Sequence, residues 1–349
     1  MKKLDLHTHI LPERWPDWTK RSGYAGWIEL AHERPGCARM LRTTSVDGST
    51  PPRFFREIQA NCWDPEARLR DMDAAGVTVQ ALSTVPVMFS YGAKATDTYD
   101  LARLLNDHIA EIVRRDPHRF TGLGTLPMQD PDLAARELDR CVDELGLPGV
   151  QVGTNVNGKY FDDPGVRAVL ARAHVRSAAV FVHPWEMYGQ EKIPQFWMPW
   201  LVGMPAETCA AIATAVFGGV LDECPSLRLC FAHAGGSFPC TIGRLAHGRA
   251  CRPDLFPPGS RDPRDFAAGG DRPARFWVDS LTHDAAALRL VAEVFGPERV
   301  VLGSDYPFPL GEDQPGALVD SMQEWPPDVR ERILWSNGME FLWAGARAE

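Results

Sequence analysis

The stretch Leu4-Asp5-Leu6-His7-Thr8-His9-Ile10 decides how this chain is read. It is short and apolar, lies near the N-terminus and carries two histidines one residue apart. Residues i and i+2 share one face of a strand. His7 and His9 would then stand roughly 6.5 Å apart, two strand rises, with both imidazoles able to meet one cation. Pro12 offers no N–H to a ladder and helps to end the strand. By itself such a pair also fits two structural histidines, so the remaining chain has to decide.

Seven further apolar runs follow: residues 77–84 (VTVQALST), 120–127 (FTGLGTLP), 149–155 (GVQVGTN), 178–184 (AAVFVHP), 228–234 (RLCFAHA), 276–282 (FWVDSLT) and 300–307 (VVLGSDYP). Near-continuous apolar runs of this length suit parallel strands covered on both faces. Helical patterns lie between them. Asp64-Pro65 and Asp130-Pro131 each place an acidic N-cap before a proline at the first helical position. Residues 97–116 carry Leu101, Leu104, Leu105, Ile109 and Val113 at helical spacing. Strand–helix alternation repeated eight times predicts a (β/α)8 TIM barrel in a single domain. A doubly wound sheet is the alternative, but no Gly-rich dinucleotide turn follows the first strand. Residues 12–62, between the first strand and first helix, far exceed an ordinary connection. They are expected to form a small folded insertion with a mobile portion.

Size and charge narrow the function. The chain has 349 residues, 44% of them hydrophobic, which suffices for one large core. No run of 18 uncharged apolar residues occurs, so no membrane partner is expected. The first fifteen residues lack an apolar signal core, and none of the eight cysteines forms a Cys-x-x-Cys pair. Reduced thiols in the cytoplasm are the expectation. A net charge of −9 argues against nucleic acid. An anionic substrate would need local arginines to overcome that field.

Active sites of such barrels lie at the C-terminal strand ends. Gathered there are His7 and His9, His183, His233, and Asp305, with Thr84, Thr125 and Thr282-His283-Asp284 at other ends. Each alone could be structural, but together they are unlike a chance collection. Three imidazoles and a carboxylate suit Zn²⁺ or another borderline divalent ion with a position open for water. His233 is the spare imidazole, suited to moving a proton.

These residues carry a resemblance. His-x-His on the first strand, His on the fifth, His on the sixth and Asp on the eighth resemble the amidohydrolase superfamily. Longer strings point within it to a decarboxylase branch: HTHILP (7–12), NCWDP (61–65), VTVQALSTVPVMFSY (77–91), GLGTLPMQ (122–129), FVHPW (181–185), PWLVGMPAET (199–208) and DYPFPLGE (305–312).

The resemblance implies one Zn²⁺ held by His7, His9, His183 and Asp305, with His233 as the acid/base. Binuclear relatives use a modified lysine at the fourth strand end, where this chain has none. Arg56 and Arg244 would bind substrate carboxylate, Arg244 reaching in from the second subunit of a homodimer, and Trp197 would line the pocket. The implied activity is O2-independent decarboxylation of a small dicarboxylate in tryptophan (kynurenine) or nitroaromatic catabolism. Ala234 and Ser304 depart from the commoner Gly and Thr of that branch, which should alter pocket shape without touching ligation. Residue chemistry alone leaves open a mononuclear hydrolase of a cyclic ester or amide, an aromatic-acid decarboxylase, and a non-catalytic metal-binding scaffold.

Overall fold

The computed structural model describes residues 1–343. Eight parallel strands form one sheet: β1 (Leu4–Ile10), β5 (Val79–Thr84), β6 (Phe120–Thr125), β7 (Gly149–Gly153), β8 (Ala179–His183), β9 (Arg228–Phe231), β10 (Trp277–Asp279) and β11 (Val300–Val301), in that spatial order. Backbone bonds then close the sheet on itself: Leu6 N donates to Leu302 O at 2.9 Å, Asp305 N to His7 O at 2.9 Å, and His9 N to Tyr306 O at 2.8 Å. This is the barrel that the alternation predicts. The last two strands are shorter than expected, because the chain leaves the ladder early to build the rim. Residues 300–307 contribute two strand residues and then a turn around Asp305, whose φ is 58°.

Helices cover the outside for local reasons. In the helix Pro65–Ala75, Asp64 accepts from Glu66 N, and Gly76 takes the left-handed cap that a side chain would oppose. Asp130 and Asp163 cap the helices Pro131–Asp143 and Pro164–Val175 in the same way. Each such cap contributes about 1 kcal/mol. Leu4, Leu6, Leu123, Phe181, Cys230 and Val301 fill the barrel interior beneath the rim. A second apolar layer packs the strands against the helices.

The helical run Gln195–Phe217 is long and apolar enough to meet a length-and-hydropathy test for a membrane span. Its first turns contain left-handed Phe196 and Trp197, and its later part buries Thr208, Ala211, Ile212, Ala215 and Val216 within the protein. It is a covering helix of the barrel.

The insertion at 12–62 holds a three-stranded antiparallel sheet of β2 (Ile28–Arg34), β3 (Cys37–Arg42) and β4 (Arg53–Gln59). Trp18, Trp27, Met40 and Ile58 form its core, against Leu11, Val85 and Leu101 of the barrel. The sheet thus stands over the strand ends where the polar residues collect.

Two β-bulges aim side chains at that rim. In the β1–β5 ladder, Asp5 pairs with Gln80 and Thr8 with Leu82, so Leu6 and His7 together oppose Ala81. In the β3–β4 ladder, Met40 pairs with Arg56 and Leu41 with Phe54, leaving Phe55 unopposed. A bulge changes which face the following residues occupy. Consecutive residues can therefore serve one side: Leu6 fills the interior beneath His7, and both Phe55 and Arg56 line the pocket above.

Candidate metal centre

His7, His9, His183 and Asp305 converge. One potential ligand atom from each lies within 4.8 Å of all the others. Asp305 Oδ1 is 3.0 Å from His9 Nε2, 3.3 Å from His7 Nε2 and 4.0 Å from His183 Nε2. All four residues are buried. The far nitrogen of each ring is engaged: His7 Nδ1 lies 2.7 Å from Asp279 Oδ2, His9 Nδ1 3.0 Å from Thr84 O, and His183 Nδ1 3.0 Å from Pro184 O. These acceptors fix Nδ1 as the protonated nitrogen and leave Nε2 as the lone-pair donor.

The three Nε2 atoms are buried and lack a hydrogen-bond partner among the described residues. Buried polar atoms of this kind are rare without an unseen occupant. Three inward imidazole nitrogens beside a carboxylate fit one divalent cation. The charge balance of the ligands alone points the same way. Burial disfavours a charged His7, yet its bond to Asp279 and the nearby carboxylate of Asp305 outweigh it and push its pKa up to about 10. Burial would likewise raise Asp305, but the close approach of His7 and His9 holds its carboxyl well below the usual range. Burial lowers His9 and His183. A metal ion held by these ligands would take the place of the proton that the two carboxylates otherwise favour on His7.

Asp279 is the residue that sequence reasoning missed. It lies at the end of β10, fully buried, and does more than orient His7. Its oxygens accept from His233 N at 2.9 Å, Ala234 N at 2.7 Å and Leu281 N at 3.1 Å. Those bonds hold the turn after β9, in which His233 and Ala234 adopt φ of 54° and 55°. A left-handed conformation at two adjacent non-glycine residues requires such support. The turn sets the His233 ring 5.1 Å from the rings of both His7 and His183, centroid to centroid. His233 is half-buried at the rim, and burial holds its pKa down to about 4. A neutral imidazole beside the ligand cluster can accept a proton.

At the fourth strand end, Gln151 stands beneath the centre. Its Nε2 donates to Thr84 O at 3.0 Å, the same carbonyl that His9 meets, and it pairs closely with Ser83 Oγ. Lys159 lies in the following loop beside Asp163, at 3.8 Å.

Arg56 and Trp197 both reach the pocket over the metal ligands, with His9, His183 and Asp305 at its base. Arg56 stacks on Phe308 at 4.4 Å and on Phe55 at 5.1 Å, and makes no ion pair among the described residues. Trp197 lies 6.1 Å from Trp200, centroid to centroid, at φ 59°. Arg244 is not brought to this pocket within the chain. It is exposed on the helix Phe238–Cys251, without a carboxylate partner among the described residues. Thr282, His283 and Asp284 lie past the strand end, where Asp284 caps the helix Ala285–Phe295.

A barrel whose rim presents three histidines and an aspartate to one cation is matched by the amidohydrolase family profile over residues 4–342, and the chain belongs to that family. It is 50% identical over 341 residues to 2-amino-3-carboxymuconate-6-semialdehyde decarboxylase of Dictyostelium discoideum, covering 97% of this chain and 91% of that one. It is 30% identical to gamma-resorcylate decarboxylase of Rhodococcus jostii, over 75% of this chain and 83% of that protein. Among solved structures, 5-carboxyvanillate decarboxylase of Sphingomonas paucimobilis superposes with a TM-score of 0.73 at 27% identity, over 81% of this chain and 84% of that one. The chain is a carbon–carbon lyase of the decarboxylase type.

Proposed function

We propose that the chain is a Zn²⁺-dependent, non-oxidative decarboxylase that converts 2-amino-3-carboxymuconate 6-semialdehyde to 2-aminomuconate 6-semialdehyde and CO2, in tryptophan (kynurenine) or nitroaromatic catabolism. The near-full-length identity to the Dictyostelium enzyme carries this reading. The donor set supports it, with one Zn²⁺ held by His7, His9, His183 and Asp305. When bound, the cation would polarise substrate and water as a Lewis acid.

The side chains divide the remaining work. Arg56, above the ligands, is oriented by Phe308 and Phe55 to meet a substrate carboxylate as a two-pronged donor. Trp197 closes the pocket over the conjugated chain. His233 moves protons: it accepts one as water adds to C2 and returns it at C3. The bond from C3 to its carboxylate then breaks. Its electron pair restores the double bond between C2 and C3, expels the added hydroxide and releases CO2.

We further propose a homodimer in which Arg244 of each subunit completes the other's site. Along the helix Phe238–Cys251, Cys240, Gly243, Arg244, His247, Gly248 and Cys251 form an exposed face that carries little charge besides Arg244.

The test is product analysis on the metal-loaded protein. Release of CO2, unaffected by removing O2 and abolished in His233→Ala, supports the assignment. Addition of water with retention of mass would make the protein a hydrolase instead, and full activity of the His233 variant would remove that residue from the mechanism.

A further inference from the structure

The three-stranded sheet holds an arrangement that the metal centre does not use. In the β3–β4 ladder, Arg42 stands directly opposite Arg53. Like charges opposite each other destabilise a strand pair. Nothing within the described residues offsets this pairing with a carboxylate contact; Arg42 donates instead to Gly26 O at 3.0 Å. Burial works against its charge, partly relieved by Glu186 and worsened by Arg53.

Both arginines line a cavity of about 630 Å³ between the sheet and the barrel, with Tyr24, Trp27, Trp185 and Trp200 among its walls. Among the described residues Glu186 is its one acidic lining residue, so the cavity keeps an excess positive charge in a chain of net charge −9. Phe55, Val87, Trp185 and Trp200 line this cavity and the metal pocket alike. The metal pocket is far tighter, about 30 Å³ by the same measure.

We propose that this larger cavity is an outer binding site for a planar dicarboxylate, held by Arg42 and Arg53 against the aromatic walls before it passes to Arg56. The proposal rests on the dicarboxylate reading of the substrate given above. Two guanidinium groups on neighbouring strands offer paired donors to carboxylate oxygens. Indole and phenol faces take up a flat conjugated ligand. A cleft of one sign also raises the local concentration of the opposite ion, an effect that salt weakens.

Phthalate, a planar and unreactive dicarboxylate, serves as the probe, with binding to the zinc-loaded protein followed by tryptophan fluorescence. Arg56→Gln should retain an outer phthalate site, and the double variant R42Q/R53Q should lose about tenfold or more in affinity for it while melting no lower than the parent. In turnover, R42Q/R53Q should show kcat within about twofold of the parent but kcat/KM reduced about tenfold at low salt, with a flatter salt dependence. R42K/R53K should recover most of that steepness. Phthalate affinity and salt dependence unchanged in R42Q/R53Q would overturn the outer site. Loss of phthalate binding in R42Q/R53Q, in a protein that does not decarboxylate the assigned substrate, would uphold the site and remove the substrate.

Discussion

Asp279 and His7, 272 positions apart in the chain, meet at 2.7 Å between Oδ2 and Nδ1, both fully buried. The same carboxylate holds the backbone of His233 and Ala234. One side chain thus sets both a ligand ring and the turn carrying the proposed acid/base.

Asp279→Asn keeps the shape but removes the charge and one acceptor. It should weaken metal binding by about 10- to 100-fold, the usual effect of losing a carboxylate behind a ligating histidine. Competition with a chromogenic chelator measures this. Parent-like affinity would show that His7 needs no such support.

Chelation should abolish decarboxylation, and added Zn²⁺ should restore it. At free zinc a thousandfold above Kd, binding stabilises the fold by about 4 kcal/mol. The stripped protein should therefore melt several degrees lower. Equal melting curves with and without metal would argue that the four ligands do not bind an ion together.

Arg56→Gln should leave metal content unchanged and reduce kcat/KM by about 10- to 100-fold, the size of a lost hydrogen bond to a charged group. Arg56→Lys should recover only part, because an ammonium lacks the planar fork. Unaltered kinetics in Arg56→Gln would assign carboxylate binding elsewhere.

Arg244→Ala and His233→Ala should each be inactive alone. Mixed and allowed to exchange subunits, they should regain about one quarter of parental activity, since random pairing gives half mixed dimers with one complete site each. No recovery, with exchange confirmed by mass, would confine Arg244 to its own subunit or to the surface.

Glu207 gives a pH signature. Burial raises its carboxyl above the ordinary 4.5, outweighing hydrogen bonds from Asn155 at 2.9 Å and Tyr160 at 3.1 Å. The folded state holds this proton more tightly than the unfolded one. Its contribution is therefore complete below pH 4.5 and is lost as pH rises through the folded value. Glu207→Gln should gain stability relative to the parent over that rise. Thermal melts from pH 4 to 8 should show the gap widening; a constant gap would mean no shifted proton.

The barrel was legible because parallel strands buried on both faces leave long apolar runs, and aspartate–proline pairs mark helix starts. His7, His9, His183 and Asp305 could be singled out because each ends such a run. Asp279 escaped notice because it lies within its apolar run (FWVDSLT) and not at the run's end, although the strand itself stops there, and the residue that explains it lies near the other end of the chain. Arg42 opposite Arg53 was hidden for a related reason: strand register decides which residues face each other, and a bulge at Phe55 changes it. The eighth run overstated its strand, since apolar residues before Asp305 pack without joining the ladder.

The bulge at Leu6 and His7 separates two jobs within one strand. Below it, even-numbered side chains plug the barrel; above it, odd-numbered ones reach the cation. If the same residues ran in regular alternation without the bulge, Leu6 would still face the interior but both rings would turn towards the helices, so the motif has coordinating power only at this phase of the backbone.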